Sequence, residues 1–193
     1  EASGCACSSL RPRILYVAYM CLPYHVNGYS SRTHSLLRFL QSVADVRVLT
    51  RTGYPWDMGF KCDQTYTDYD GVRYEHITRP KNNIFTAIYT RLAAAKIAGY
   101  AKRHKIDLIH AASNHVNALP ALLAARLLGL PFYYEMRGLW ELSRAAKEVS
   151  FADSHVYRLG LKLEGWTARQ ADRVFVISEQ LAAYARLHWG IPE

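Results

Sequence analysis

Two rhythms of apolar positions alternate along the chain. Ile14 to Ala18 form a short continuous apolar run, as a central parallel strand covered on both faces does. A loop holding Pro23 and Gly28 follows. The next segment, about 32–43, has helical spacing. Ser30 or Ser31 can cap it, Leu36, Leu37 and Leu40 face inward, and Phe39 and Val43 help them. Val46 to Thr50 is a second strand. Residues 51–70, with Gly53, Pro55, Trp56 and Gly59, read as one long irregular section. Asp70 and Gly71 mark a tight turn into 72–78, which alternates apolar and polar as a half-exposed strand does.

The second half repeats the alternation. Residues 84–104 read as one long helix with a stripe of Ile84, Ile88, Leu92, Ala95 and Gly99. Residues 106–113 form a strand ending in small and polar side chains, and Asn114, His115 and Asn117 fill its exit loop. A helix over 118–128 stops at Gly129, and Pro131 prevents its continuation. A strand at 132–137 follows. A long helix covers 154–171, with Val156, Leu159, Leu163 and Trp166 inward. A last strand, 173–178, leads to a helix at 179–188 capped by Ser178. About six strands alternating with helices predict a single, doubly wound, mainly parallel α/β sheet with helices on both faces.

Composition narrows this little. A chain of 193 residues suits one domain with a substantial core. No apolar run approaches the roughly 18 residues of a membrane span. The chain starts at Glu1 rather than Met, so an excised or processed segment is expected, with 1–11 a tail or linker remnant and the domain proper at 12–193. Cys5 and Cys7 are too close together for a zinc knuckle, and with Cys21 and Cys62 they suit a reduced cytosolic protein. The formal charge of +8 favours anionic partners. No nucleic-acid-binding motif accompanies it, so nucleic acid is not expected. The aromatic and basic helix at 84–105 suits either a membrane surface or a core helix with a solvated basic face.

The candidate chemistry gathers at the end of the 132–137 strand. Phe132, Tyr133 and Tyr134 are strand formers, and behind them stand Glu135, Arg137, Gly138, Trp140 and Glu141. Ligands of open parallel sheets bind where strands deliver their carboxyl ends, so this run reads as the floor of a site, or as an Arg–Glu pair closing a corner. Gly28, followed by Tyr29 and Ser30, precedes a helix without the Gly-x-Gly-x-x-Gly pattern. A backbone there can approach a diphosphate closely and the helix end favours anions, though a plain turn needs the same glycine.

Taken in order, RILYV at 13–17, Gly28, DLIHA at 107–111, ALPALLAARLLGLP at 118–131, YEMRGLWE at 134–141 and ADRVFVIS at 171–178 resemble the N-terminal half of a family 4 glycosyltransferase. GYSSRT at 28–33 and YEMRGLWE look closest to bacterial members linked to exopolysaccharide or exosortase clusters. The resemblance implies one Rossmann-like half of a retaining, metal-independent GT-B enzyme using a nucleotide sugar and no cofactor. It places Gly28, Tyr29 and Ser30 toward the donor phosphates. It places His110, Ser113, Asn114, Glu135, Gly138, Trp140 and Glu141 along the acceptor cleft. Arg137 falls where many relatives carry a histidine near the reacting centre; staying protonated, it would orient a hydroxyl or stabilise phosphate charge. It also implies a second Rossmann domain beyond Glu193, a glycan or lipid-linked acceptor, a cytoplasmic location with peripheral membrane contact, and no transfer by this half alone. Two other classes fit the same residues: a non-catalytic docking module for a separate catalytic chain, and half of a sugar-nucleotide epimerase.

Overall fold

The computed structural model describes residues 11–192, so the tail with Cys5 and Cys7 lies outside the described residues except for Arg11. In chain order the elements are β1 (Arg13–Ala18), α1 (Gly28–Val43), β2 (Asp45–Thr50), β3 (Tyr66–Tyr69), β4 (Val72–Glu75), α2 (Thr86–Arg103), β5 (Leu108–Ala112), α3 (His115–Leu128), β6 (Phe132–Met136), α4 (Trp140–Ala145), α5 (His155–Arg169), β7 (Arg173–Val176) and α6 (Glu179–Trp189). The strands form one sheet ordered β3-β4-β2-β1-β5-β6-β7. Every pairing is parallel except β3 with β4. The doubly wound Rossmann-like α/β sheet is therefore the observed fold.

The pleat of β1 shows how the core divides. Leu15 and Val17 join Ile109, Ala111, Phe132, Tyr134 and residues of α2 and α3 in one cluster. Tyr16 and Ala18 turn to the other face, with Val48, Tyr74 and Leu37 of α1. Both sets are buried, which is why the run reads as continuously apolar.

Several local expectations are corrected. A seventh strand, β3, lies inside the section expected to be irregular, and pairs with β4 in a hairpin around Asp70 and Gly71. Those two residues have φ of 42° and 79°, the left-handed pair that a two-residue hairpin turn requires. Helix α1 begins at Gly28, not near 32, because Asn27 rather than a serine is its cap and accepts the Ser30 N–H at 3.0 Å. Phe39 and Val43 point to solvent. The stripe expected on α2 is the outer one: Ile84, just before the helix, and Ile88 and Leu92 on it are exposed, while Tyr89, Ala93, Ala94, Ile97 and Tyr100 pack inward. On α5, Val156, Leu159 and Trp166 are exposed, and Gly160, Glu164, Gly165, Thr167 and Ala168 are buried instead. His115 and Asn117 belong to the first turn of α3, not to a loop. Among the described residues no helix is long and apolar enough to cross a membrane.

Candidate functional site

Two buried polar assemblies sit at the carboxyl ends of β1, β5 and β6. The first surrounds Arg137. Its Nε donates to Glu135 Oε1 at 2.9 Å. Its Nη1 donates to the Tyr29 carbonyl at 2.9 Å and to Thr33 Oγ1 at 2.6 Å. Its Nη2 donates to the Tyr16 hydroxyl at 2.7 Å and to Glu135 Oε2 at 3.1 Å. That accounts for all five guanidinium N–H groups. The side chain is only 5% exposed, and it lies 4.7 Å over the Tyr29 ring. Arg137 therefore ties the end of β6 to the first turn of α1 and to β1.

Glu135 is the anion of this assembly. Tyr16 donates to its Oε2 at 2.7 Å. His110 Nε2 lies 3.5 Å from the same oxygen, at the outer limit of a hydrogen bond. Burial alone would raise the Glu135 carboxyl, but His110, Arg137 and Tyr16 outweigh it and hold it down at about 2. His110 is not at a strand end. It occupies the middle of β5, with its ring between Tyr16 at 4.8 Å and Phe175 at 5.8 Å. Ser113 is buried, and its Oγ accepts the Arg137 backbone N–H at 3.2 Å.

The N-terminal turn of α1 borders this assembly. Ser30 is buried, with its backbone N–H and hydroxyl both directed to Asn27. The Tyr29 hydroxyl accepts the Tyr19 N–H at 2.9 Å. Gly28 is exposed, and a Cβ built on it would meet nothing within 4 Å. The protein itself leaves that space open at the positive end of a sixteen-residue helix.

The second assembly opens on a cavity of about 560 Å³ lined by residues that include Tyr19, Met20, Asn114, His115, Trp140 and Glu141. Asn114 caps α3. Trp140 starts α4, a helix the apolar pattern does not announce, and is 46% exposed. Glu141 is fully buried beside it, and neither of its carboxylate oxygens has a hydrogen-bond partner. Burial pushes its carboxyl up, and the nearby Glu164 charge adds to that. Glu164 reaches in from α5. Its Oε1 accepts the His115 backbone N–H at 2.6 Å, and its Oε2 accepts from the Tyr134 hydroxyl. Gly138 lies elsewhere, in a smaller cavity of about 310 Å³ with Arg137, Leu142 and Ile177.

The structure thus divides the expected residues. Glu135, Arg137, His110 and Ser113 meet in one network, and Asn114, Trp140 and Glu141 meet at the larger cavity. His115, Tyr134, Gly160 and Glu164 were not expected there. Glu164 carried a signal: it is the one carboxylate on α5, among Arg158, Lys162 and Arg169.

Residues 27–193 match the glycosyl transferase 4-like domain family. The chain belongs to that family. No curated protein sequence matches this glycosyl transferase 4-like domain. Among solved structures it is similar to UDP-N-acetylglucosamine 2-epimerase from Rickettsia bellii, with a TM-score of 0.61 and 12% identity over 94% of this chain and 43% of that one. UDP-GlcNAc 2-epimerase from Neisseria meningitidis, solved bound to UDP-GlcNAc, gives 0.60 and 14% over 93% and 43%. A UDP-N-acetylglucosamine 2-epimerase from Listeria monocytogenes gives 0.60 and 12% over 94% and 43%. These likenesses are of fold, and the domain spans less than half the length of those structures.

Proposed function

We propose that this domain is the N-terminal, acceptor-side half of a bacterial glycosyltransferase. The enzyme moves a sugar from a nucleotide-sugar donor to a glycan or lipid-linked acceptor with retention, in polysaccharide biosynthesis at the cytoplasmic face of a membrane. The observation that carries this is the placement of the larger cavity. It lies at the carboxyl ends of β1, β5 and β6, where an open α/β sheet binds ligands, in a domain of the glycosyl transferase 4-like family.

The half-exposed Trp140 indole offers a flat apolar face to a sugar ring, and Asn114 and Glu141 offer polar groups to its hydroxyls. The open first turn of α1 at Gly28, Tyr29 and Ser30 faces the donor diphosphate. Arg137 and Glu135 hold that turn in place as positioning residues. No metal is needed at the diphosphate. A second Rossmann domain supplies most of the donor contacts, so this half does not transfer sugar alone. Exposed Ile84, Phe85, Ile88 and Leu92 beside Arg91 and Lys96 support peripheral membrane contact through α2.

The test is acceptor-dependent consumption of a panel of nucleotide sugars by the two-domain enzyme, with the product's anomeric configuration read by NMR. Release of nucleotide with a retained linkage is expected. Trp140→Ala is expected to raise the acceptor KM at least tenfold with the donor KM unchanged. An enzyme that consumes no nucleotide sugar overturns the reading, and one that returns an epimerised nucleotide sugar replaces it with the epimerase reading.

A further inference from the structure

We infer that His115, Glu141 and Glu164 form a binding site for a divalent transition-metal cation of the zinc type at the floor of the larger cavity. One donor atom from each of the three lies within 4.8 Å of the other two. His115 Nδ1 is 3.6 Å from Glu141 Oε1 and 3.4 Å from Glu164 Oε1. A tetrahedral ion with bonds of about 2.1 Å spaces its ligand atoms about 3.4 Å apart, so the two gaps from His115 are those of ligands around an ion. An imidazole with two carboxylates is a donor set for zinc or manganese.

A second observation points to a ligand. Both Glu141 oxygens and His115 Nδ1 are buried without a hydrogen-bond partner, although Glu141 has no solvent exposure at all. Buried polar groups are nearly always satisfied. A single dication answers all three groups and neutralises both carboxylates.

The surroundings are built around that arrangement. A Cβ on Gly160 would overlap Glu141 Oε1 and lie 2.7 Å from its Cγ, so only glycine leaves room for the carboxylate. The Tyr134 hydroxyl and the His115 backbone N–H fix Glu164 from behind, as outer-shell partners of metal ligands do. Three protein ligands leave a fourth position, and two of the three, His115 and Glu141, line the cavity with Asn114 and Trp140. There the ion can bind a water or a hydroxyl of a sugar-like ligand. The site stands on these residues whether or not the domain serves glycosyl transfer, and it lies away from the α1 turn that faces the donor.

The deciding experiment is titration of the chelator-stripped 193-residue chain with ZnCl2 by calorimetry, with MgCl2 as control and CoCl2 as a spectroscopic probe. Expected are one zinc per chain at this site, little response to magnesium, and visible cobalt bands without a thiolate charge-transfer band. Glu141→Gln is expected to weaken binding at least tenfold and abolish the cobalt bands, and Tyr134→Phe to weaken it about tenfold. Circular dichroism checks that each variant is folded, and the near-isosteric Glu141→Gln decides the matter if a His115 variant is not. No stoichiometric zinc uptake, or uptake and cobalt bands unchanged in Glu141→Gln, overturns the site.

Discussion

Glu135 and Glu141 stand six residues apart, both buried, and their surroundings are opposite. Glu135 accepts from Arg137 and Tyr16, and its carboxyl is held at about 2. Glu141 has no partner for either oxygen, and its carboxyl is pushed up. One carboxylate is spent on holding three elements together. The other is kept free, at the cost of burying a carboxyl without partners, in a cradle that only Gly160 allows. Saturation marks the framework of this site, and want of partners marks the place a ligand goes.

The comparison breaks most visibly at Arg137. Arg137→Ala leaves Glu135 as a buried charge without its partner, and urea denaturation should show a loss of about 3–5 kcal/mol. Arg137→Lys should recover only part of it, since one ammonium cannot span Tyr16, Tyr29, Thr33 and Glu135. A loss below about 1 kcal/mol for the alanine variant would mean that the network is not the framework.

Acid comes next. The Glu135 carboxyl falls from an ordinary 4.5 to about 2 on folding. Its stabilisation is therefore complete above pH 4.5. It is lost as pH falls toward 2, because the unfolded chain takes up the proton first. The total is on the order of 3 kcal/mol. Denaturation midpoints between pH 5 and 2.5 should drop in the wild type, and Glu135→Gln should flatten that slope. An unchanged slope would remove Glu135 from the charged assembly.

At the second carboxylate, Gly160→Ala should cost about 1–3 kcal/mol by overpacking. Combined with Glu141→Ala, which vacates the clash, the two changes should be strongly non-additive. Additivity would show that the cradle does not serve Glu141. The smallest effect sharpens the comparison most. In chelator-containing buffer, Glu141→Gln should shift stability by less than about 1 kcal/mol, because it replaces one unpaired buried polar group by another of nearly the same shape. A loss of several kcal/mol would make Glu141 a framework residue like Glu135.

The alternation of strands and helices was legible because β1, β5 and β6 are buried on both faces and their sequences leave few other readings. The helix faces were not. Small residues dominate the packed side of α2 and α5, so Ala93, Ala94, Gly160, Gly165 and Ala168 lie inside while larger Ile88, Leu92, Leu159 and Trp166 lie outside. A rule that sends the largest apolar side chains inward fails where helices approach closely. On Gly165 a Cβ would meet the Trp189 ring at 2.6 Å, which shows how close that approach is. The site was half legible for the same reason. Glu135, Arg137, Trp140 and Glu141 share one stretch of chain, but Glu164 comes from the face of α5 lined by small residues, and His115 sits on a first helix turn whose polar residues read like a loop.

The Arg137 tie also sets an order of assembly. Its bonds to Tyr29, Thr33 and Tyr16 join residues 108, 104 and 121 positions apart. During synthesis β1 and α1 leave the ribosome long before β6 does. The first turn of α1 is among the earliest parts of the site to be made and among the last to be fastened. A nascent chain halted before residue 137 therefore holds six of the seven strands but lacks the guanidinium that ties the first turn of α1 to the end of β6.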